Sequence, residues 1–227
     1  MVAIDGPSGS GKSSTARGVA DRLGLRYLDT GAQFRAMALW MLRHGVDVQD
    51  ARAVAVRARE PEIVSGTDPL APTITLDGED VAREIRSAET TTAVSPVATV
   101  PAVRGLLLDL QRAVISTALA EGGIVVEGRD IGSVVWPEAD VKLYLTADPA
   151  ARAARRASES GAASVDATEA ALLRRDAIDS GRADAPLVVP EGAIHLDTTP
   201  WDLDEVIDRV VEIVDHAGAE RVQRTPS

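Results

Sequence analysis

The chain opens on the apolar run Val2-Ala3-Ile4, passes through Gly6-Pro7-Ser8-Gly9-Ser10-Gly11-Lys12-Ser13, and continues in a helix-like run from Ser14 to Leu23. This stretch constrains the fold more than any other. A buried strand must feed a loop whose glycines turn with positive φ, and the loop must end on a helix N-terminus with unpaired N–H groups. Backbone N–H groups and the helix dipole then present positive charge at one place, which suits phosphate oxygens. Lys12 would reach the β- and γ-phosphates of ATP as a mobile point charge, and the Ser13 hydroxyl would ligate the Mg²⁺ that bridges them. The expected nucleotide site is therefore Gly6, Pro7, Ser8, Gly9, Ser10, Gly11, Lys12, Ser13 and Ser14, with Ser13 as the metal ligand.

A loop of this kind needs a parallel sheet behind it, and the rest of the chain supplies the strands. Leu25–Leu28, Ile124–Val126, Val141–Leu145 and Ala193–Leu196 are short apolar runs separated by helical patterns, the texture of strands buried on both faces. The expected fold is α/β: a three-layer P-loop NTPase fold on a five-stranded parallel sheet, with a small α+β insert and a lid. The core is expected over 1–61 and 97–216, with the lid at about 150–184, the insert at 62–96 and a flexible tail at 217–227. The insert is marked by Ile63-Val64-Ser65 and Thr73-Ile74-Thr75-Leu76 followed by Asp77-Gly78, a hairpin signal foreign to a parallel core. It reads as a second unit without a large core of its own, packed at the edge and able to move. Gly161-Ala162-Ala163-Ser164, between two arginine-bearing helices, is a candidate hinge.

Composition removes several function classes. With no cysteine there are no disulfides, thiolate zinc sites or cysteine nucleophiles, and His44, His195 and His216 share no ligand spacing. A net charge of −11 argues against bulk attraction to nucleic acid or anionic membrane, so polyanions must be met by local arginine clusters. No apolar run reaches the length of a membrane span, and the first residues lack a basic start and apolar stretch, so a cytoplasmic monomer is expected.

The arginines fall on separate elements. Arg35 is expected in the first turn of a helix from Ala32 to His44, where a cation is unfavourable unless it holds an anion. Arg104 and Arg112 flank the apolar stripe of a helix from Pro101 to Glu121, and Arg129-Asp130 follow a strand at its carboxyl end, where open α/β sheets bind ligands. Arg175, Asp179 and Arg182 share a helix face, with Gly181 expected to loosen the helix before Arg182. Lys12 and Lys142 are the chain's lysines, so the Asn-Lys-x-Asp guanine-reading stretch of a GTPase is absent.

Three stretches then become specific: Leu28-Asp29-Thr30-Gly31-Ala32-x-Phe34-Arg35, Glu127-Gly128-Arg129-Asp130, and Arg175-Asp176-x-x-Asp179-x-x-Arg182 followed by Ala185-Pro186-Leu187. With the phosphate loop, in this order, they resemble the bacterial cytidylate kinases from Val2 to about Val214. The resemblance implies transfer of the γ-phosphoryl of ATP to CMP and dCMP. It implies that Thr30, Arg35, Arg104, Arg129, Arg175 and Arg182 hold the monophosphate or the transferring phosphoryl, that Ser95 and Asp130 lie near the cytosine and ribose, and that Asp179 belongs to the same substrate set. Lys12, Arg129 and Arg175 are the expected catalytic residues, and Arg152 and Arg156 the lid arginines over ATP. Phe34 stands where the family usually has Tyr. Two other readings stay open at this point: a P-loop kinase for UMP, AMP or a shikimate-like acceptor, and an ATP-binding regulatory protein without turnover.

Overall fold

The computed structural model describes residues 1–160, 164–182 and 185–224. Its main sheet has five parallel strands: β1 (Val2–Asp5), β2 (Arg26–Asp29), β6 (Ile124–Glu127), β7 (Val141–Thr146) and β8 (Ile194–Asp197). They lie in the spatial order β2-β6-β1-β7-β8. Successive residues of a strand face opposite layers, which explains why the strand sequences are apolar throughout. Val2, Ile4, Val125, Leu143 and Leu145 pack against Ala16 and Val19 of α1 (Lys12–Leu23) and Val206 and Val210 of α8 (Leu203–Arg224). Ala3, Leu28, Ile124 and Val126 face the other way, against Ile115 and Ala118 of α5 (Pro101–Ala120).

The chain leaves β1, crosses β6 and enters β2, so both neighbours of β1, β6 and β7, come from later in the chain. That switch point brings the loop after β1 beside the loop after β6. The registers Ile4↔Glu127 and Asp29↔Glu127 align the three carboxyl ends, and Gly128 N–H donates to Ile4 O at 3.0 Å.

The second apolar core gathers around α2 (Thr30–Arg43). Met37 and Met41 meet Val54 of α3 (Ala51–Arg57), Ile74 and Leu76 of β4 (Ile74–Leu76), and Val103 and Leu107 of α5. This core runs from residue 32 to residue 107, so the expected insert boundaries at 61/62 and 96/97 both fall within it. β3 (Ile63–Ser65) and β4 form the expected antiparallel pair, with Val64 opposite Thr75. Asp77 and Gly78, with φ of 51° and 83°, turn β4 into the short β5 (Glu79–Asp80). Asp77 tolerates the left-handed region because its carboxylate accepts from Glu62 N–H at 2.8 Å and Trp40 Nε1 at 2.9 Å.

Two expected boundaries need correction, and two elements were not anticipated. Residues 88–97, for which the sequence analysis assigned no element, form a helix α4 (Ala88–Val97), whose β-branched Thr90-Thr91-Thr92 and Pro96 disguise it. Ser87 caps it, accepting from Thr90 N–H at 3.2 Å, and Pro96 stands in its last turn, where it withholds one N–H from the helix ladder. Helix α2 starts at Thr30 rather than Ala32, because Asp29 accepts from Ala32 N–H, and this moves Arg35 from the first turn to the second. After β6 the chain makes one π-turn over Ile131–Val135 that periodicity does not reveal. Finally, α8 continues past Ala217 to Arg224, so the expected flexible tail is helical over 217–224 and residues 225–227 lie outside the described ones.

The segment expected as the lid holds α6 (Pro149–Ser160) and α7 (Val165–Ser180). Of the expected hinge, Ser164 caps α7, and 161–163 lie outside the described residues. No single helix among the described residues is long and apolar enough to cross a membrane.

Candidate active site

The phosphate loop follows β1 directly, with φ values of 146°, 78° and 87° at Gly6, Gly9 and Gly11. A Cβ on Gly6 would stand 2.1 Å from Leu145 O, so the backbone of β7 closes the loop from behind. Lys12 starts α1, and its Nζ donates to Pro7 O at 2.7 Å across the loop. Ser10 Oγ donates to the same carbonyl at 3.1 Å. Ser13 and Ser14 are exposed to the cleft in front.

Beneath the loop lies a buried polar group that motif reading passed over. Tyr27 OH donates to Glu127 Oε1 at 2.6 Å, and Ser13 also hydrogen-bonds to the Glu127 carboxylate. Burial first, and Arg129 second, push Lys12 well below the usual ammonium range; burial first, and Asp29 second, push Glu127 up. Each charge is thus expensive to bury; an entering anion would relieve that of Lys12, and a cation that of Glu127. Asp5, also buried, is pushed up to about 6 by desolvation, and it accepts from Ile131 N–H and Gly132 N–H at 2.8 Å each. Those two bonds fix the π-turn and so fix Asp130, which immediately precedes it. The signal for Glu127 and Asp5 in sequence was their place at strand carboxyl ends.

In front of the loop is a cleft of about 1040 Å³, counting the solvent at its mouth. Arg35, Arg104, Arg129, Arg156, Arg175 and Arg182 all line it. They come from α2, α5, the turn after β6, α6, α7 and the turn after α7. Burial, then Arg156, Arg86 and Arg129 against the attraction of Asp29, push Arg35 down to about 10; burial and then Arg129 and Arg35 push Arg175 down to about 9. The Nε atoms of Arg175 and Arg182 are buried without a partner. Cations crowded together with unused donors are a site for an anion.

Two carboxylates hold this array in shape. Asp179 accepts from Arg129 Nε at 2.9 Å and pairs with Arg182, which explains how Arg182, beyond the end of α7, stays on the site. Burial raises Asp179, but the two guanidinium groups outweigh it and keep the carboxyl below its usual range. Arg129 Nη1 reaches Gly6 O at 2.9 Å, joining the array to the phosphate loop. Asp130 pairs with Arg104 in a buried contact, and Arg104 also lies 5.6 Å over the Phe34 ring, so Phe34 serves as packing without a hydroxyl. Thr30 Oγ1 donates to Glu127 O at 2.7 Å, and Ser95 and Ala98 close the far wall.

Among the expected residues, Ser8, Gly9, Gly11, Lys12, Ser13, Ser14, Thr30, Arg35, Ser95, Arg104, Arg129, Asp130, Arg156, Arg175, Asp179 and Arg182 come together on this cleft. Gly6, Pro7 and Ser10 shape the loop from behind it. Arg152 does not reach the cleft: its guanidinium is buried against Ala147 O, Ser8 O and Asp176. Arg86 and Asp29, which also line the cleft, were not anticipated.

Comparison with known proteins identifies this arrangement, because the family model described as cytidylate kinase matches residues 2–216. The chain belongs to the cytidylate kinase family. A cytidylate kinase from Streptomyces griseus is 56% identical over 215 residues, spanning 95% of this chain and 92% of its own. One from Nocardia farcinica is 49% identical over 218 residues, spanning 94% of this chain and 93% of its own. A solved gluconokinase from Sinorhizobium meliloti overlaps 99% of this chain and 97% of its own at 12% identity and a TM-score of 0.49, a likeness too distant to carry an argument. The phosphate loop and the arginine wall line one cleft.

Proposed function

We propose that this cytidylate kinase family member transfers the γ-phosphoryl of ATP to CMP and dCMP, giving ADP and the corresponding diphosphate. The observation that carries the reading is the wall of partly unpartnered, charge-crowded arginines opposite a glycine phosphate loop. Phosphoryl transfer asks a protein mainly to hold two anions in line and to neutralise charge spreading over the equatorial oxygens. Lys12 and the loop N–H groups take the β- and γ-phosphates. Arg35, Arg129, Arg175 and Arg182 take the acceptor phosphate and the moving phosphoryl, where planar guanidinium forks match two oxygens at once. No general base is needed, since the acceptor phosphate is already ionised near neutral pH.

The donor set suits Mg²⁺. Among the described residues no group of three or more His, Cys, Asp and Glu side chains could hold a cation alone, so Ser13, with Glu127 behind it, would share the ion with phosphate oxygens and water. When bound, that ion neutralises charge on the bridging phosphates. Base choice rests on the Arg104–Asp130 pair with Ser95. A carboxylate can accept from the cytosine amino group and repel the uracil carbonyl, and a guanidinium can donate to cytosine N3. Residues 62–96 act as the monophosphate-binding insert and 150–184 as the lid, closing over the substrates to exclude water.

The test is a turnover assay with ATP against a panel of acceptors. CMP and dCMP should lead it. A clear preference for UMP, AMP or a non-nucleotide acceptor would overturn the reading, and so would tight ATP binding without ADP formation from any acceptor.

A further inference from the structure

Arg152 is 5% exposed, and its guanidinium contacts Ala147, Ser8 and Asp176. Its Nη1 donates to Ser8 O at 2.9 Å, its Nε donates to Ala147 O at 3.1 Å, and it pairs with Asp176 of α7. Asp176 in turn accepts from Ser8 N–H at 3.0 Å. One residue of the phosphate loop is therefore gripped on both sides by a salt-bridged pair from the two lid helices. The N–H of Ser8 belongs to the peptide joining it to Pro7, and its C=O to the peptide joining it to Gly9, so the grip fixes the peptide planes on both sides of the Ser8 Cα. In a trans peptide the N–H points opposite to the C=O, and there is no cis bond among the described residues. With Ser8 O held towards Arg152, the Gly9 N–H aims the other way.

A second contact repeats the device. Thr198, 1% exposed, donates from Oγ1 to Ser10 O at 3.2 Å, and Arg155 of α6 holds Thr198 through Oγ1 at 2.9 Å and its carbonyl at 2.7 Å. Gly9 lies so close to α6 that a Cβ there would stand 3.1 Å from both Cβ and O of Arg152. The outer side of the phosphate loop is thus built from the lid.

We propose that Asp176 and Arg152 are positioning residues for the donor triphosphate, setting the shape of the phosphate loop through the Ser8 peptides rather than touching the nucleotide. The inference rests on the reading that this loop holds ATP. It makes the fit of the cradle depend on the seating of α6 and α7, so lid and loop answer to each other. Arg152 could contact ATP directly only by releasing Ser8, Ala147 and Asp176.

The experiment is a double-mutant cycle with Asp176→Ala, Arg152→Ala and the pair, read as KM for ATP and KM for CMP. Each single change should raise KM for ATP roughly tenfold, the scale of losing a charge-assisted hydrogen bond, while KM for CMP moves less than about twofold. The double variant should lose no more than the worse single one, because the clamp fails as a unit. In hydrogen exchange, the peptide covering residues 6–13 should exchange faster in every variant while the central strands keep their protection. Additive losses, an unchanged KM for ATP in Asp176→Ala, or an unaltered exchange rate over 6–13 would overturn the clamp. If the variants fail to fold, Asp176→Asn keeps one acceptor oxygen for Ser8 N–H and replaces the charged oxygen facing Arg152 with an amide NH2, which cannot accept from it; wild-type KM for ATP and loop exchange in that variant would likewise count against it. Wild-type protein that phosphorylates CMP while these variants behave additively sinks the clamp alone, whereas wild-type protein that fails to bind ATP sinks the underlying reading as well.

Discussion

The two halves of the cleft are built in opposite ways. The donor side is a single run of residues from Gly6 to Ser14, and it works mainly through backbone N–H groups and conformations that only glycine adopts freely. The acceptor side is made of side chains delivered from α2, α4, α5, the turn after β6, and the lid, between residues 30 and 182. A backbone cradle is rigid and reads charge. A wall of side chains from separate elements can be rearranged, and it reads shape and hydrogen-bond pattern as well. On the acceptor side the buried carboxylates Asp130 and Asp179 hold arginines that would otherwise repel one another, whereas on the donor side Asp5 and Glu127 lie buried beneath the loop.

That contrast can be broken most sharply at Lys12. Its ammonium gains strength as charge moves to the bridging oxygen, so Lys12→Ala should lower turnover by roughly a hundred- to ten-thousand-fold. Folding stability should not fall in parallel, because burying the ammonium is a cost to the folded protein that the substitution removes. Turnover within a few-fold of wild type in a steady-state assay would show that the loop is only structural.

A smaller effect, on stability rather than rate, is expected on the acceptor side. Asp179→Asn leaves Arg129 and Arg182 without their counter-charge and should cost about 3 kcal/mol at neutral pH. Because the folded-state pKa is held below the unfolded value of about 4, wild type's advantage is present above that value and is lost as pH falls through the folded pKa. Denaturant melts of both proteins from neutral to acid pH should converge. An equal gap at all pH values would mean that the loss is steric.

The selectivity prediction is smaller again. Asp130→Asn should narrow the CMP to UMP efficiency ratio by about tenfold, since one mismatched buried polar group is worth about 1–3 kcal/mol. Arg182→Ala, which should serve the phosphate, should lower both substrates alike. An unchanged ratio in Asp130→Asn would move Asp130 from the base to the ribose or the metal. Ser95→Ala should give the smallest change, a few-fold loss that falls more on CMP than on UMP in the same assay, because its hydroxyl adds one adaptable hydrogen bond. Equal loss on both substrates would remove Ser95 from the base.

By itself the sequence determined what is local. The strand, glycine loop and helix around Lys12, the apolar strands of the parallel sheet and the Asp77-Gly78 turn are set by steric rules and periodicities that span a few residues. The arginine positions were legible too, because a cation carried to the carboxyl end of a strand has few other uses. The tertiary structure decided which charges meet. Nothing in the spacing of Arg104 and Asp130 announces a buried pair, and nothing near Arg152 says that its guanidinium is consumed by Ser8 and Asp176 rather than offered to the nucleotide. Glu127 reads as an ordinary residue at a strand end until Tyr27, Ser13 and Lys12 close around it. Helix α4 was hidden because its threonines and Pro96 weaken local propensity, while packing against α2 and a cap at Ser87 sustain it. In each case the energy comes from partners far away in the chain, and local pattern carries no record of them.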